Sequence, residues 1–250
     1  MQPLPLLLVA ALGSLVPTFL TSTTHAADAK HLLAVPGKTL LEDKLDTAPG
    51  GKWKAAKGDW KVADGTWVGA ELEADHHGAV IRLPEQYQDL IIQAEFKLDG
   101  AKAISLTINA VKDHMSRVMV TPTSVMVRRD DNDHEGPDQA ITFAGFKTDL
   151  ADGKWHTIRI EMVGDTMLGL VDDNIAWGSD ELFTQTKSAP GFTVSGQSAA
   201  FRNLVISEAT LNPNWDKVKS KLPAPGELAP PPAGGKGKGK GKGKGKGKTE

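Results

Sequence analysis

DGKWHTIRIEMVGDTMLGLVDD, residues 152–173, decides the fold class of this chain. Past Trp155, the residues Ile158, Ile160 and Met162 alternate with Thr157, Arg159 and Glu161. That is the two-residue period of a strand with one face buried and the other turned to water or a ligand. Gly164-Asp165 supplies a two-residue loop, with glycine where a type II′ turn requires positive φ, and residues 167–171 return antiparallel. Asp172-Asp173-Asn174 favours a further turn.

The same grammar extends in both directions. Segments 60–62 and 66–70 flank the turn Ala63-Asp64-Gly65, and 79–83 ends at Pro84. Segment 89–98 alternates Leu90, Ile92, Ala94, Phe96 and Leu98 with Gln93, Glu95 and Lys97, and Asp99-Gly100 stops it. Segment 104–110 repeats the pattern with Ser105, Thr107 and Asn109 outward; 118–121 and 125–129 form a hairpin across Pro122-Thr123-Ser124. Two more strands follow at 191–196 and 200–207. Many short strands at such spacing predict an all-β, antiparallel jelly-roll β-sandwich. Only 213–222 has helical character, with Asn212 as N-cap, Pro213 at the first helical position and Pro223 as terminator.

The termini differ in kind from this body. Residues 4–20 are mostly Leu, Val and Ala and lead to Thr24-His25-Ala26, which reads as a signal peptide cut after Ala26, although no Lys or Arg precedes the apolar run. An exported, periplasmic or extracellular protein is expected. With no cysteine it is neither a lipoprotein nor stapled by disulfides, so core burial must hold it. Residues 225–232 read as a stiff Pro-rich linker into a tail from Gly234, where seven Gly-Lys pairs (235–248) bury nothing and should be disordered. The mild total charge of −2 hides a bipolar chain: residues 27–233 carry 22 basic and 30 acidic side chains, net −8, against +6 for the tail. The tail is a candidate tether to an anionic polymer, a solubilising low-complexity end, or an end that folds back on the acidic domain. No aromatics interleave its lysines, so a dedicated nucleic-acid module is not expected.

Four ordered motifs carry a family resemblance. They are Trp53 followed by W-K-V-x-D-G-x-W-V-G (60–69), Y-x-D-L-x-x-x-x-E-F (87–96), G-K-W-H-x-I-R-I (153–160) and F-R-N-L-x-I (201–206). Together they resemble the 3-keto-disaccharide hydrolase-like domain over residues 38–208. The resemblance implies a concanavalin A-like lectin/glucanase jelly roll and hydrolase activity. The family's central N-S-G segment has no counterpart between Gly100 and Arg117, where the chain runs AKAISLTINAVKDHMSR. The organisation is therefore signal peptide 1–26, jelly-roll domain 27–208, short helix and linker 209–233, and Gly-Lys tail 234–250, with a monomer as the default state.

Glycoside hydrolysis uses two carboxylates about 5–10 Å apart. The nearest arrangement is Glu71, Glu73 and Asp75, which strand alternation would put on one face, with His77 beside them as a further catalytic candidate. If the strand ends share one rim, His76, His77, His114, Arg117, Asp130, Asp133 and His134 would be displayed there to contact sugar hydroxyls. The oxygen-rich run 130–135 suits calcium, with Asp130 and Asp133 as ligands, although it lacks EF-hand spacing; no other cofactor is expected. Trp53, Trp60, Trp67 and Trp155 fit the core, and any of them exposed on a sheet would stack on a sugar ring. Three functions remain open: glycan binding without catalysis, hydrolysis of 3-keto-glycosides or related disaccharides, and a structural envelope role anchored by the tail.

Overall fold

The structure is a computed structural model that describes residues 30, 32–133, 135–136, 139–151 and 153–228. The expected signal peptide, His134 and the Gly-Lys tail lie outside the described residues. In chain order the strands are β1 (Ala34–Asp43), β2 (Lys54–Lys57), β3 (Asp59–Ala63), β4 (Thr66–Ala70), β5 (Ala79–Arg82), β6 (Gln86–Tyr87) and β7 (Leu90–Asn109). They continue with β8 (His114–Thr121), β9 (Ser124–Arg129), β10 (Ile141–Lys147), β11 (His156–Val163), β12 (Thr166–Val171), β13 (Asn174–Ser179) and β14 (Lys187–Leu211), followed by one helix, α1 (Trp215–Lys219).

Two layers share the long strands β7 and β14, which pair with each other along most of their length. The front layer runs β10-β9-β8, the second half of β7, the first half of β14, then β5 and β2. The back layer runs β13-β12-β11, the first half of β7 and the second half of β14, edged by β4-β3 and β1. Every strand pairing is antiparallel, and the result is the jelly-roll sandwich that the alternation predicts.

Asp99-Gly100 was expected to end a strand, and 191–196 and 200–207 to be separate strands. Instead the chain passes through both places without breaking. Gly100 and Gly196 take φ of 76° and 91°, and register shifts cluster at Ser195, Gly196 and Ser198. Left-handed φ turns an extended chain through a corner while the ladder stays paired on either side. The layers then close tightly: a Cβ on Gly169 of β12 would lie 2.6 Å from Val118 of β8 and 2.9 Å from Val127 of β9.

The quoted hairpin forms as read, with Gly164 at φ 56°, but its second face is not open to water or ligand. Arg159 and Glu161 are 1% and 0% exposed, covered by the segment before β1. Glu161 Oε2 accepts the backbone N–H groups of Leu33 (2.8 Å) and Ala34 (2.9 Å), and its Oε1 lies 3.1 Å from Arg159 Nη2. Arg159 also donates to the Lys30 carbonyl at 2.8 Å and to Gln93 Oε1 at 3.2 Å. Beside this network Leu33, Leu168, Leu170 and Trp215 form a second apolar cluster.

The helix is shorter than the expected 213–222. Asn214 directly precedes α1, but the capping bond is made by Asn212 as expected: its Oδ1 accepts the Asn214 N–H, its carbonyl accepts that of Trp215, and its Nδ2 donates to the Leu32 carbonyl. Pro225 to Leu228 do not leave as a free linker but follow β10, with Gly226 N–H on the Phe143 carbonyl and Gly145 N–H on that of Leu228. No helix among the described residues is long and apolar enough to cross a membrane.

Glu161→Ala would take the carboxylate away from Arg159 and from the Leu32, Leu33 and Ala34 N–H groups in a dry layer. Loss of one partner of a buried pair costs about 3–5 kcal/mol, so urea unfolding should show a drop of that order, and a change under about 1 kcal/mol would contradict this assignment.

Candidate functional site

The front-layer register sets Lys54, Arg82, Gly191, Thr107, Arg117, Arg128 and Thr142 side by side across seven strands. Their strand neighbours Ile81, Phe192, Leu106, Val118 and Val127 are all fully buried in the core. By alternation the row therefore points away from the core. Gly191 and Thr107 make a low floor: Thr107 is 1% exposed and its Oγ1 donates to the Gly191 carbonyl at 3.3 Å. A Cβ on Gly191 would lie 2.0 Å from the Ile81 carbonyl oxygen, so this position cannot carry a side chain. Arg82 stands on one side of the floor and Arg117 on the other, three strand spacings apart, or about 14 Å between backbones. The adjoining row on the same face offers Val80, Thr193, Ser105, Met119 and Met126.

The charge on this trough is unbalanced. None of the front-layer strand segments carries a carboxylate; Asp130, one residue past β9 and 2% exposed, is the acid at the end of the face. Arg117 Nε donates to it at 2.8 Å and Arg128 Nε at 3.1 Å. Among the described residues these are the only hydrogen bonds of the two guanidiniums, whose Nη forks stay uncommitted while the side chains are 25% and 28% exposed. Arg82 has only two long bonds, from Nη1 to the Ile81 and Phe192 carbonyls at 3.4 and 3.5 Å. Burial first, and then the neighbouring Arg117 charge, pull its pKa down to about 10, with Asp130 opposing weakly.

The sequence-derived candidates fall in different places. Glu71, Glu73 and Asp75 do not share a strand face, because β4 ends at Ala70 and 73–75 is a single 3-10 turn closed by His76 at φ 48°. Glu71 Oε2 accepts the Gly196 N–H at 2.7 Å and Asp75 Oδ2 accepts the Gly58 N–H at 2.6 Å, so both carboxylates hold turns. His77 is exposed, with Nδ1 2.7 Å from the Gly78 carbonyl oxygen.

The expected common rim is also divided. His76 and His77 precede Ala79, whose ladder row contains Val194 and Ile104, whereas His114 pairs with Asn109 at the other end of β7. Five residues of strand separate the two rows, about 17 Å. His114, Arg117, Asp130 and Asp133 do share one end. There the His114 backbone exchanges hydrogen bonds with Asn132 at 2.9 and 2.6 Å, and Asp133 Oδ1 accepts the Glu135 N–H at 2.8 Å. Both oxygens of Asp130 already face guanidiniums, and among the described residues no group of three or more His, Asp or Glu converges as a metal site.

Trp53 and Trp67 are core anchors in edge-to-face contact at 5.0 Å, and Trp60 packs on Phe201. Trp155 is half-buried on the outer face of the back layer, under the Arg202 guanidinium at 4.0 Å. None of these four rings stands on the trough. Sequence reading passed over Arg82 and gave Arg128 no role. Alternation in Ala79-Val-Ile-Arg82 does place Arg82 opposite the core, but only cross-strand register brings it level with Arg117.

Solved structures share this fold at low identity. They include the carbohydrate-binding module CBM66 of Bacillus subtilis (19% identity, 63% of this chain and 96% of that one, TM-score 0.52). The laminarinase of Rhodothermus marinus matches at 10% identity over 70% of this chain and 99% of its own, TM-score 0.55. The endo-beta-1,3-glucanase of Pyrococcus furiosus matches at 9% over 70% and 95%, TM-score 0.52. No curated protein matches by sequence. A sequence model of one family matches residues 38–207, most of the chain, and this protein belongs to that family, the 3-keto-alpha-glucoside-1,2-lyase-like domains.

Proposed function

We propose that this protein is an exported carbohydrate-binding domain that holds a saccharide over Gly191 and Thr107, between Arg82 and Arg117. One observation carries the reading: among the described residues the face has several guanidinium donors that no hydrogen bond takes up, and Asp130 is the carboxylate that Arg117 and Arg128 share. Two-carboxylate hydrolysis needs an acid and a base or nucleophile on either side of the scissile bond, whereas binding needs only donors and a shaped floor. Jelly-roll relatives named as a carbohydrate-binding module and as glucanases support a saccharide ligand. Met119 and Met126 offer the apolar contact that a sugar face requires, in place of an aromatic ring. Export rests on the leader 1–26, and the Gly-Lys tail acts as a tether to an anionic polymer.

A second reading, cleavage of a 3-keto-glycoside, is favoured by family membership. A ketone at C3 acidifies the C2 proton. One base can remove that proton as the C1 oxygen departs, and a guanidinium can stabilise the enolate. This chemistry needs one carboxylate, and Asp130 is the one on this face.

Isothermal titration of the full chain with a panel of neutral and acidic trisaccharides should give measurable binding that Thr107→Trp, which fills the floor, abolishes. Unchanged binding in Thr107→Trp would exclude the trough. A 3-keto-disaccharide incubated with the protein should be recovered intact; release of the C1 substituent, lost in Asp130→Asn, would establish the second reading instead.

A further inference from the structure

Resting on the reading above, we infer that the saccharide is anionic: a uronate or sulfated sugar whose oxyanion is held by Arg82 together with the free forks of Arg117 and Arg128. Arg117 and Arg128 share the one carboxylate of Asp130, and Arg82 has no ion-pair partner among the described residues, only two long bonds to main-chain carbonyls. They stand on a domain whose overall charge is negative, so the positive sign is local to the trough. The geometry is specific as well. Asp130 engages Arg117 and Arg128 through Nε, which fixes both guanidinium planes and turns the Nη edges into prepared donors. Arg82 stands across Gly191 and Thr107 from them, near enough to feel the Arg117 charge.

Energetics point the same way. A guanidinium held partly out of water beside a second cation is in an unfavourable state that an incoming anion relieves, and the lowered pKa of Arg82 expresses this. Paired guanidiniums also match the planar oxygens of a carboxylate or the tripod of a sulfate, which a lone lysine would not. A neutral glucan offers no group that uses this charge.

The test compares three short probes on the full chain at physiological salt: trigalacturonate, a sulfated trisaccharide and neutral laminaritriose. Short oligosaccharides keep any contribution of the Lys tail small and equal in every variant. Trigalacturonate or the sulfated sugar should bind at least about tenfold tighter than laminaritriose, and that preference should vanish in Arg82→Gln and in Arg117→Gln. Arg82→Lys, which keeps the charge and lies outside the Asp130 pairs, should retain part of it, and unfolding midpoints verify that each variant is folded. Which anionic probe binds more tightly tells carboxylate from sulfate. Equal affinity for the charged and neutral sugars, or a preference untouched in both Gln variants, would overturn the inference while leaving saccharide binding in place. Failure of every probe to bind would remove both.

Discussion

The rest of the structure depends on one ladder, β7 against β14, bent at Gly100 and Gly196 so that the same two strands hold up both layers. Below the bend they organise the back layer with β11; beyond it they lie between β8 and β5. With no disulfide available, this shared ladder and the core between the layers are what fix the layers to each other. Glu71 reinforces the corner from outside by accepting the Gly196 N–H. A carboxylate that sequence spacing offered to catalysis is thus spent on the bend itself.

The two outward faces meet different fates. On the back layer the alternation that begins with the quoted hairpin delivers Arg159 and Glu161 to a surface that the preceding segment and Trp215 then cover. Apart from Arg159 Nε, the polar groups of this pair are taken up internally and hold the segment before β1 in place. On the front layer the same alternation delivers Arg82, Arg117 and Arg128; among the described residues Asp130 answers the last two and no carboxylate pairs with the first. The first face is a closed network and the second is an open one. That contrast, rather than any motif, is why the front layer is the proposed binding surface.

The strands, their alternation and the hairpin turns were legible because each rests on neighbours in sequence, as the 63–66 and 163–166 turns illustrate. Continuity through Gly100 and Gly196 was not, since glycine after aspartate or serine signals a stop as readily as a bend. Partnerships were less accessible still. Asp75 reads as an acid poised for chemistry and proves to hold the Gly58 N–H, seventeen positions away. Arg82 and Arg117 lie on strands that are not neighbours, with β14 and β7 between them, and no local pattern announces that they share a row. The histidine rim failed for the same reason: strand ends that alternate in sequence lie at opposite ends of the layer.

On this reading the binding surface is the front-layer trough and not the tryptophan-bearing outer face of the back layer. NMR titration of the full chain with trigalacturonate addresses it directly. Saturable shifts should centre on the Gly191 and Thr107 amides and on the Nε–H signals of Arg82, Arg117 and Arg128. Shifts centred instead on the Trp155 indole and Arg202, with the trough signals unmoved, would contradict it.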